Sequence, residues 1–310
     1  MKKNSRIYIA GHTGFLGSAL VRCLRKQGYN NLILKTHREL DLTARLRVEK
    51  FFQQEKPEYV FLMAARVGGI WANNTYPAEF IYQNLAIQNN VIDSAYKAGV
   101  KKLLFPGSAC MYPKFCPQPM KPDYLLTGVI EPTNEPFAVA KIAGIKMCQA
   151  YNRQYKTNFI SAVPATVYGP GDHFDKNGHV AAGLLERFYN AAKNNDKEVV
   201  IWGSGKPKRE FIFIDDAADA FIFLMKNYSS SELINIGGSI ELSVKALANK
   251  IKVITGFKGK IVCDTSKPDG ILRRSLDSAP LIALGWQAKT SLDDGLKATC
   301  VWKWGSYDGK

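Results

Sequence analysis

The stretch from residue 6 to residue 17 constrains the fold more than any other part of the chain. The apolar run RIYIAG passes without a linker into GHTGFLG and from there into a helix-periodic segment, FLGSALVRCLRKQG. Gly11, Gly14 and Gly17 fall three residues apart, the spacing of a strand-to-helix turn that bends sharply and lets backbone come close to a neighbour. A pyrophosphate meeting such a turn rests on the helix N-terminus, where unpaired N–H groups and the helix dipole attract negative charge. A lone glycine motif is weak evidence, but this one opens a series.

Strand-length apolar runs then alternate with helical periodicity: NLILKT, RLRVEKFFQQE, YVFLMAA, IYQNLAIQNNVIDSAYKAG, KKLLFPGS, FAVAKIAGIKMCQAYNRQY and FISAVPA. Such a βαβ series implies a parallel sheet covered on both faces by helices. The expected class is therefore α/β, a Rossmann-type doubly wound parallel sheet with a smaller C-terminal substrate-binding lobe. After Tyr168 the rhythm changes. GPGDHFDKNGH reads as a loop, and VVIWGSG, REFIFIDDAADAFIFLM and LINIGG are shorter and mixed. The expected division is a dinucleotide-binding domain over 1–166 and a mainly substrate-binding lobe over 167–310, with a segment near 211–225 crossing back.

At 310 residues and 46% hydrophobic content the chain can bury one large core. No apolar stretch approaches the roughly 20 residues needed to span a bilayer, and the run after MKKNSR is too short for a signal peptide. A cytoplasmic protein is the expectation. The six cysteines lack metal-ligand or disulfide-framework spacing, so no metal is expected. A net charge of +15 favours anionic partners, yet the basic residues are spread without aromatic interleaving, which argues against nucleic acid.

The second strand, NLILK, ends without the acidic residue that would bind an NAD ribose. Lys35, Thr36, His37 and Arg38 follow instead, and cations there suit the 2′-phosphate of NADP(H). Asp41 and Leu42 come next, on the adenine side, while Ala64 and Ala65 after the third strand are small enough to let backbone pass the cofactor. Ser108 and Cys110 lie just past the fourth strand's carboxyl end, where α/β sheets bind ligands. In NEPFAVAK, Phe137 and Lys141 are four apart on a helix that Pro136 can start, so both face one direction.

Ser108, Phe137 and Lys141 outline the Ser, Tyr, Lys constellation of short-chain dehydrogenases, with Phe137 standing where the Tyr belongs. The runs AARVGGIWANNTYPAEFIYQNL, GSACMYPK, EPTNEPFAVAKIAGIKMC, YNRQY, VYGPGDHF, VVIWGSGKPKREF and SKPDG together resemble the GDP-L-fucose synthase family across nearly the whole chain. These are extended short-chain dehydrogenases that epimerise a GDP-4-keto-6-deoxy sugar at C-3 and C-5 and then reduce C-4 with NADPH. The resemblance implies Cys110 and His179 as the acid–base pair of epimerisation. It implies Ser108 as hydrogen-bond donor to O4, and Lys141 as the residue that binds the nicotinamide ribose and lowers the Tyr pKa. It points to Arg187, Trp202, Arg209 and Asp269, with Ser108, for the nucleotide sugar. The cofactor set comprises Gly11, Thr13, Gly14, Phe15, Leu16, Gly17, Lys35, His37, Arg38, Asp41, Leu42, Ala64, Ala65, Pro106, Gly107, Lys141, Pro164, Val167 and His179. A homodimer is expected by the same resemblance.

The chemistry agrees with that assignment. A C-4 ketone acidifies the protons on both neighbouring carbons, so epimerisation needs an acid and a base on opposite ring faces and stabilisation of the enolate oxygen. A thiol and an imidazole both exchange protons near neutral pH. Phe137 removes the phenol, while Ala109, Thr13 and Thr166 depart from the family pattern without removing a group that has a named step. Several readings follow. The chain is a Tyr→Phe form impaired in reduction, or a natural homologue that mainly epimerises, or an enzyme that relays the proton through Ser108, Tyr112 or water. From another class comes a non-catalytic NADP(H)-binding sensor, against which the retention of Ser108, Cys110, Lys141 and His179 argues.

Overall fold

The computed structural model describes residues 1–175, 178–238, 240–267 and 269–306. The first half follows the alternation of the sequence: β1 (Ile7–Ala10), α1 (Phe15–Lys26), β2 (Leu32–Ile33), α2 (Arg45–Glu55), β3 (Tyr59–Leu62), α3 (Ile70–Thr75), α4 (Pro77–Lys97), β4 (Lys102–Pro106), α5 (Glu135–Tyr155) and β5 (Phe159–Pro164). The second half holds β6 (Thr166–Tyr168), α6 (Val180–Asn194), β7 (Glu198–Trp202), β8 (Lys208–Phe213), α7 (Ile214–Asn227), β9 (Ile234–Ile236), β10 (Ile240–Ser243), α8 (Val244–Ile254), β11 (Lys260–Asp264), β12 (Arg273–Arg274), α9 (Ala279–Ala283) and α10 (Leu292–Trp304).

Six strands form one sheet in the order β2-β1-β3-β4-β5-β9, with every pair parallel. Because helices cover both faces, β1, β3, β4 and β5 are buried almost throughout. The edge strand β2 is shorter than NLILKT suggested. It pairs only through Leu32 and Ile33, and the chain then turns away as Thr36 N–H donates to the Glu39 carboxylate at 2.8 Å.

Two later segments return to this sheet: α7 packs against α1, and β9 adds the last strand beside β5. REFIFIDDAADAFIFLM divides between them and the second sheet. β8 ends at Phe213 and α7 begins at Ile214, where Asp215 and Asp216 place negative charge in the helix's first turn. In the second sheet β8 lies antiparallel to β10 and parallel to β12 and β6, while β7 and β11 form a separate parallel pair. The second half is more helical than its sequence runs suggested. In α8, for example, Leu247, Ala248, Ile251 and Ile254 form one buried face, while interspersed lysines mask the apolar pattern. The polar loop expected over 169–179 joins β6 to α6, and Lys176 and Asn177 within it lie outside the described residues.

Strand order reverses between β1 and β3, the switch point at which open α/β sheets bind ligands. There the glycine turn passes so close to the end of β3 that a Cβ on Gly11, at φ +81°, would lie 2.7 Å from Ala64 Cα. At Gly17 a Cβ would fall 2.0 Å from the Gly11 carbonyl oxygen. Gly17→Ala is therefore expected to force the turn apart at a cost of about 1–3 kcal/mol or more. Thermal melting should show a lowered Tm, and the bound dinucleotide should no longer raise it.

Candidate active site

β4 delivers the chain to the carboxyl edge of the sheet, where Pro106 and Gly107 lead into a short 3-10 turn, Ala109–Met111, flanked by Ser108 and Tyr112. Cys110 is buried, and its thiol donates to Ser108 Oγ at 3.2 Å. Burial pushes the thiol pKa up, and the Ser108 contact with the charges of Arg274 and Lys141 only partly opposes it. The thiol is thus held protonated near neutral pH, suited to giving a proton.

α5 begins with Pro136 in its first turn and carries Phe137 and Lys141 one turn apart. Lys141 is buried; Nζ donates to the Pro106 carbonyl at 3.0 Å and lies 4.5 Å from the Phe105 ring centroid and 5.8 Å from that of Phe137. Burial draws its pKa down to about 8. Phe137 is half-buried and offers no oxygen to either Lys141 or Ser108. Tyr112 does not replace it. Its hydroxyl donates to Asn235 Oδ1 at 2.7 Å in the core, and burial pushes its pKa far up, which corrects the expectation that Tyr112 can relay a proton.

His179 comes from the second half of the chain, as the N-cap residue of α6. Its Nδ1 is 2.9 Å from Asp172 Oδ1, and its ring centroid is 6.0 Å from that of Phe15 in the first turn of α1. The protein packed around one side of the ring pulls the imidazole pKa down although 53% of the side chain stays exposed, but the hydrogen bond and charge of Asp172 together raise it by more, so the net direction is up. The contact with Phe15 brings His179 to the glycine turn.

The turn itself fits a dinucleotide. Thr13 and Gly14 are exposed, Gly14 caps α1 without any side-chain capping bond, and Gly17 admits no Cβ, so bare N–H groups line the helix N-terminus. Phe15 and Leu16 are half-buried beside it, as are Ala64 and Ala65 across the switch point. Past β2, Lys35 is half-buried, and His37 and Arg38 are exposed. This loop is less purely cationic than its sequence suggested: Glu39 folds back to accept from Thr36 N–H and Oγ1 (2.8 and 2.7 Å), within reach of the Lys35 charge. Asp41 accepts from Thr43 N–H at 2.9 Å, and Leu42 turns into the core with its carbonyl bonded by Asn90, so Leu42 offers no open apolar face. Pro164 and Val167 are buried at the carboxyl end of β5 and in β6.

The four residues expected at the nucleotide sugar gather around the end of β7. Arg187 on α6 donates to the Val200 carbonyl at 2.8 Å, and Trp202 ends β7 with 71% of its surface exposed. Asp269 accepts from Ser204 N–H and Oγ at 2.8 and 2.6 Å, while Arg209 on β8 donates to the Ile271 carbonyl at 2.6 Å. Parallel pairing of β12 with β8 sets Arg274 beside Arg209. Burial and the neighbouring Arg274 draw the Arg209 pKa down to about 10. Arg274 also acts on Cys110, which links this cationic edge to the thiol.

Residues 7–237 match the model of the NAD dependent epimerase/dehydratase family. The chain belongs to that family. It is 56% identical over 303 residues to a putative GDP-L-fucose synthase 2 of Arabidopsis thaliana, covering 97% of this chain and 92% of the relative. A GDP-mannoheptose C4 reductase from Campylobacter jejuni, solved with NADP bound, superposes with a TM-score of 0.89 at 44% identity, covering 97% of this chain and 99% of that one. A GDP-6-OMe-4-keto-L-xylo-heptose reductase from C. jejuni gives a TM-score of 0.92 at 42% identity, with 97% and 98% covered.

Against that epimerase/dehydratase frame, Asp172, Arg274 and Glu39 are the residues that sequence reasoning passed over. Each carried a faint signal: an acid seven residues before His179, a second arginine in ILRRSLD, and an acid just beyond the cation run. Among the described residues no group of three or more His, Cys, Asp or Glu side chains could hold a metal ion, and no helix is long and apolar enough to cross a membrane.

Proposed function

We propose that this chain is an NADPH-dependent epimerase/4-reductase of a GDP-linked 4-keto-6-deoxy sugar, a hexose or a heptose, whose reduction step is slowed by Phe137. The observation that carries the reading is the cluster of Ser108, Cys110 and Lys141 at the end of β4, with His179 held over the glycine turn by Asp172 and Phe15. The names of the relatives and neighbours support the substrate class, and the heptose reductases among them keep the heptose open. The glycine turn, the Lys35–Arg38 loop and Lys141 would hold NADPH, which would supply a hydride for C-4.

In this mechanism Ser108 donates to O4 of the sugar and stabilises the oxygen as enolate charge develops. Cys110 and His179 exchange protons at C-3 and C-5 from opposite sides. The protonated thiol is the acid, and the imidazole, charged or neutral near its working pH, takes or gives as needed. Lys141 keeps positive charge beneath the reacting oxygen, but with Phe137 it has no phenol through which to pass a proton. Arg209 and Arg274 hold the diphosphate, Trp202 stacks on a flat group, and the domain division at about residue 166 leaves most cofactor contacts before it and these nucleotide contacts of the sugar after it, with Ser108, Cys110 and His179 meeting at the reacting ring. A homodimer would form through α4 and α5, which carry the exposed Tyr82, Val139 and Tyr155.

Incubation in D₂O with GDP-4-keto-6-deoxymannose or its heptose counterpart and NADPH tests the reading, with products resolved by NMR. A C-3 or C-5 epimer is expected from one of the two sugars. Recovery of both ketones unchanged, with no deuterium incorporated, would defeat it and favour a non-catalytic NADP(H) sensor. Arg209→Ala should raise the substrate KM about 10–100-fold with little change in kcat, because a charge-assisted hydrogen bond contributes roughly 1.5–3 kcal/mol.

A further inference from the structure

We infer that Asp172 is the positioning residue for His179, holding the proton on Nδ1 so that Nε2 is the ring nitrogen left to exchange with the sugar. The inference rests on the reading of His179 as an acid–base group.

The Asp172 side chain is 1% exposed, while that of His179 is 53% exposed. Oδ1 accepts from His173 N–H at 2.8 Å and faces His179 Nδ1 at 2.9 Å, and the buried Oδ2 has no donor among the described residues. A carboxylate so enclosed is costly unless donors or a cation face it, and beside the His173 N–H the side chain it faces is the imidazole. That selects the Nδ1–H tautomer, since an acceptor nitrogen turned toward a carboxylate would leave two lone pairs opposed. His179 also sits at the N-terminus of α6, where the helix dipole disfavours an imidazolium; the Asp172 charge offsets this.

Both partners are braced by the same aromatic cluster. Phe174, two residues after Asp172, stacks on Trp302 at 6.4 Å and meets Trp304 edge-on at 5.4 Å. Trp304 in turn stacks at 4.1 Å on Tyr189 of α6, the helix that His179 caps. The end of α10 thus fixes the loop and the helix to one another and keeps the 2.9 Å contact in register. Asp172 is the charged group that acts on His179 from its own loop, and the ring that α1 presents, Phe15, is uncharged.

The test compares the unsubstituted chain with Asp172→Asn, Asp172→Glu and His179→Asn. Deuterium exchange into the keto sugar is followed against pH, with substrate and NADPH affinities measured alongside. Asp172→Asn should slow exchange by at least about 10-fold and by up to about 10⁴-fold, the scale for loss of the carboxylate behind a general-base histidine, and move the histidine limb to lower pH with affinities kept. Asp172→Glu should recover part of the rate. Exchange unchanged in rate and pH profile in Asp172→Asn, but lost in His179→Asn, overturns the inference and leaves the role of His179 intact. Exchange that survives His179→Asn overturns that role and the inference with it. Should Asp172→Asn not fold, 15N shifts of the native His179 ring decide: an Nδ1–H tautomer is expected, and an Nε2–H tautomer is the contrary result.

Discussion

Phe137→Tyr is expected to raise the rate of C-4 reduction by about 10²–10⁴, the usual contribution of a positioned general acid. Phe137 and Lys141 share one face of α5, and Lys141 Nζ, 5.8 Å from the Phe137 ring, is already buried beneath it. A phenol there would have a cation beside it to lower its pKa and a substrate oxygen above it to protonate. As the chain stands, Lys141 is bonded to the Pro106 carbonyl and Tyr112 is locked onto Asn235, which leaves the Ser108 hydroxyl or water as donor. Single-turnover NADPH oxidation gives the number directly. A gain below about threefold would mean that the proton already has an efficient route, and the account of Phe137 would be wrong.

Cys110→Ser should depress deuterium exchange at C-3 and C-5 by a comparable factor of about 10²–10⁴ while leaving nucleotide-sugar binding in place. The thiol is buried against Ser108, so a hydroxyl of nearly the same size occupies its space. What changes is acidity: a serine hydroxyl does not give up its proton in the range where a thiol does. Competition binding of GDP separates the two effects. A parallel loss of affinity would turn Cys110 into a packing residue, and exchange at the native rate would remove it from the chemistry.

The local parts of this site were legible in the sequence. Gly11, Gly14 and Gly17, Ser108 with Cys110, and Phe137 with Lys141 each sit within one turn or loop, where spacing alone fixes which way side chains point. What was not legible arises from distant pairing. Arg274 meets Arg209 because β12 joins β8, 65 residues later by number, and no periodicity announces a two-residue strand. Tyr112 is turned away from the site by Asn235 on β9, a strand that returns to the main sheet after the chain has left it for β6, β7 and β8. Asp172 lies in a polar loop whose shape is set by Phe174 and the tryptophans of α10. Leu42 and Glu39 show the same limit in small: burial and a backward turn, not residue type, decide what they offer to a ligand.

Incubation in D₂O with a GDP-4-keto-6-deoxy sugar and NADPH, recording deuterium at C-3 and C-5 and NADPH oxidation in the same sample, tests the account most directly. Ready exchange with oxidation slower by orders of magnitude is the predicted result, because the proposed mechanism keeps Cys110 and His179 as acid and base and has no phenol at position 137. Oxidation keeping pace with exchange would contradict it and require a proton donor other than the residue at position 137.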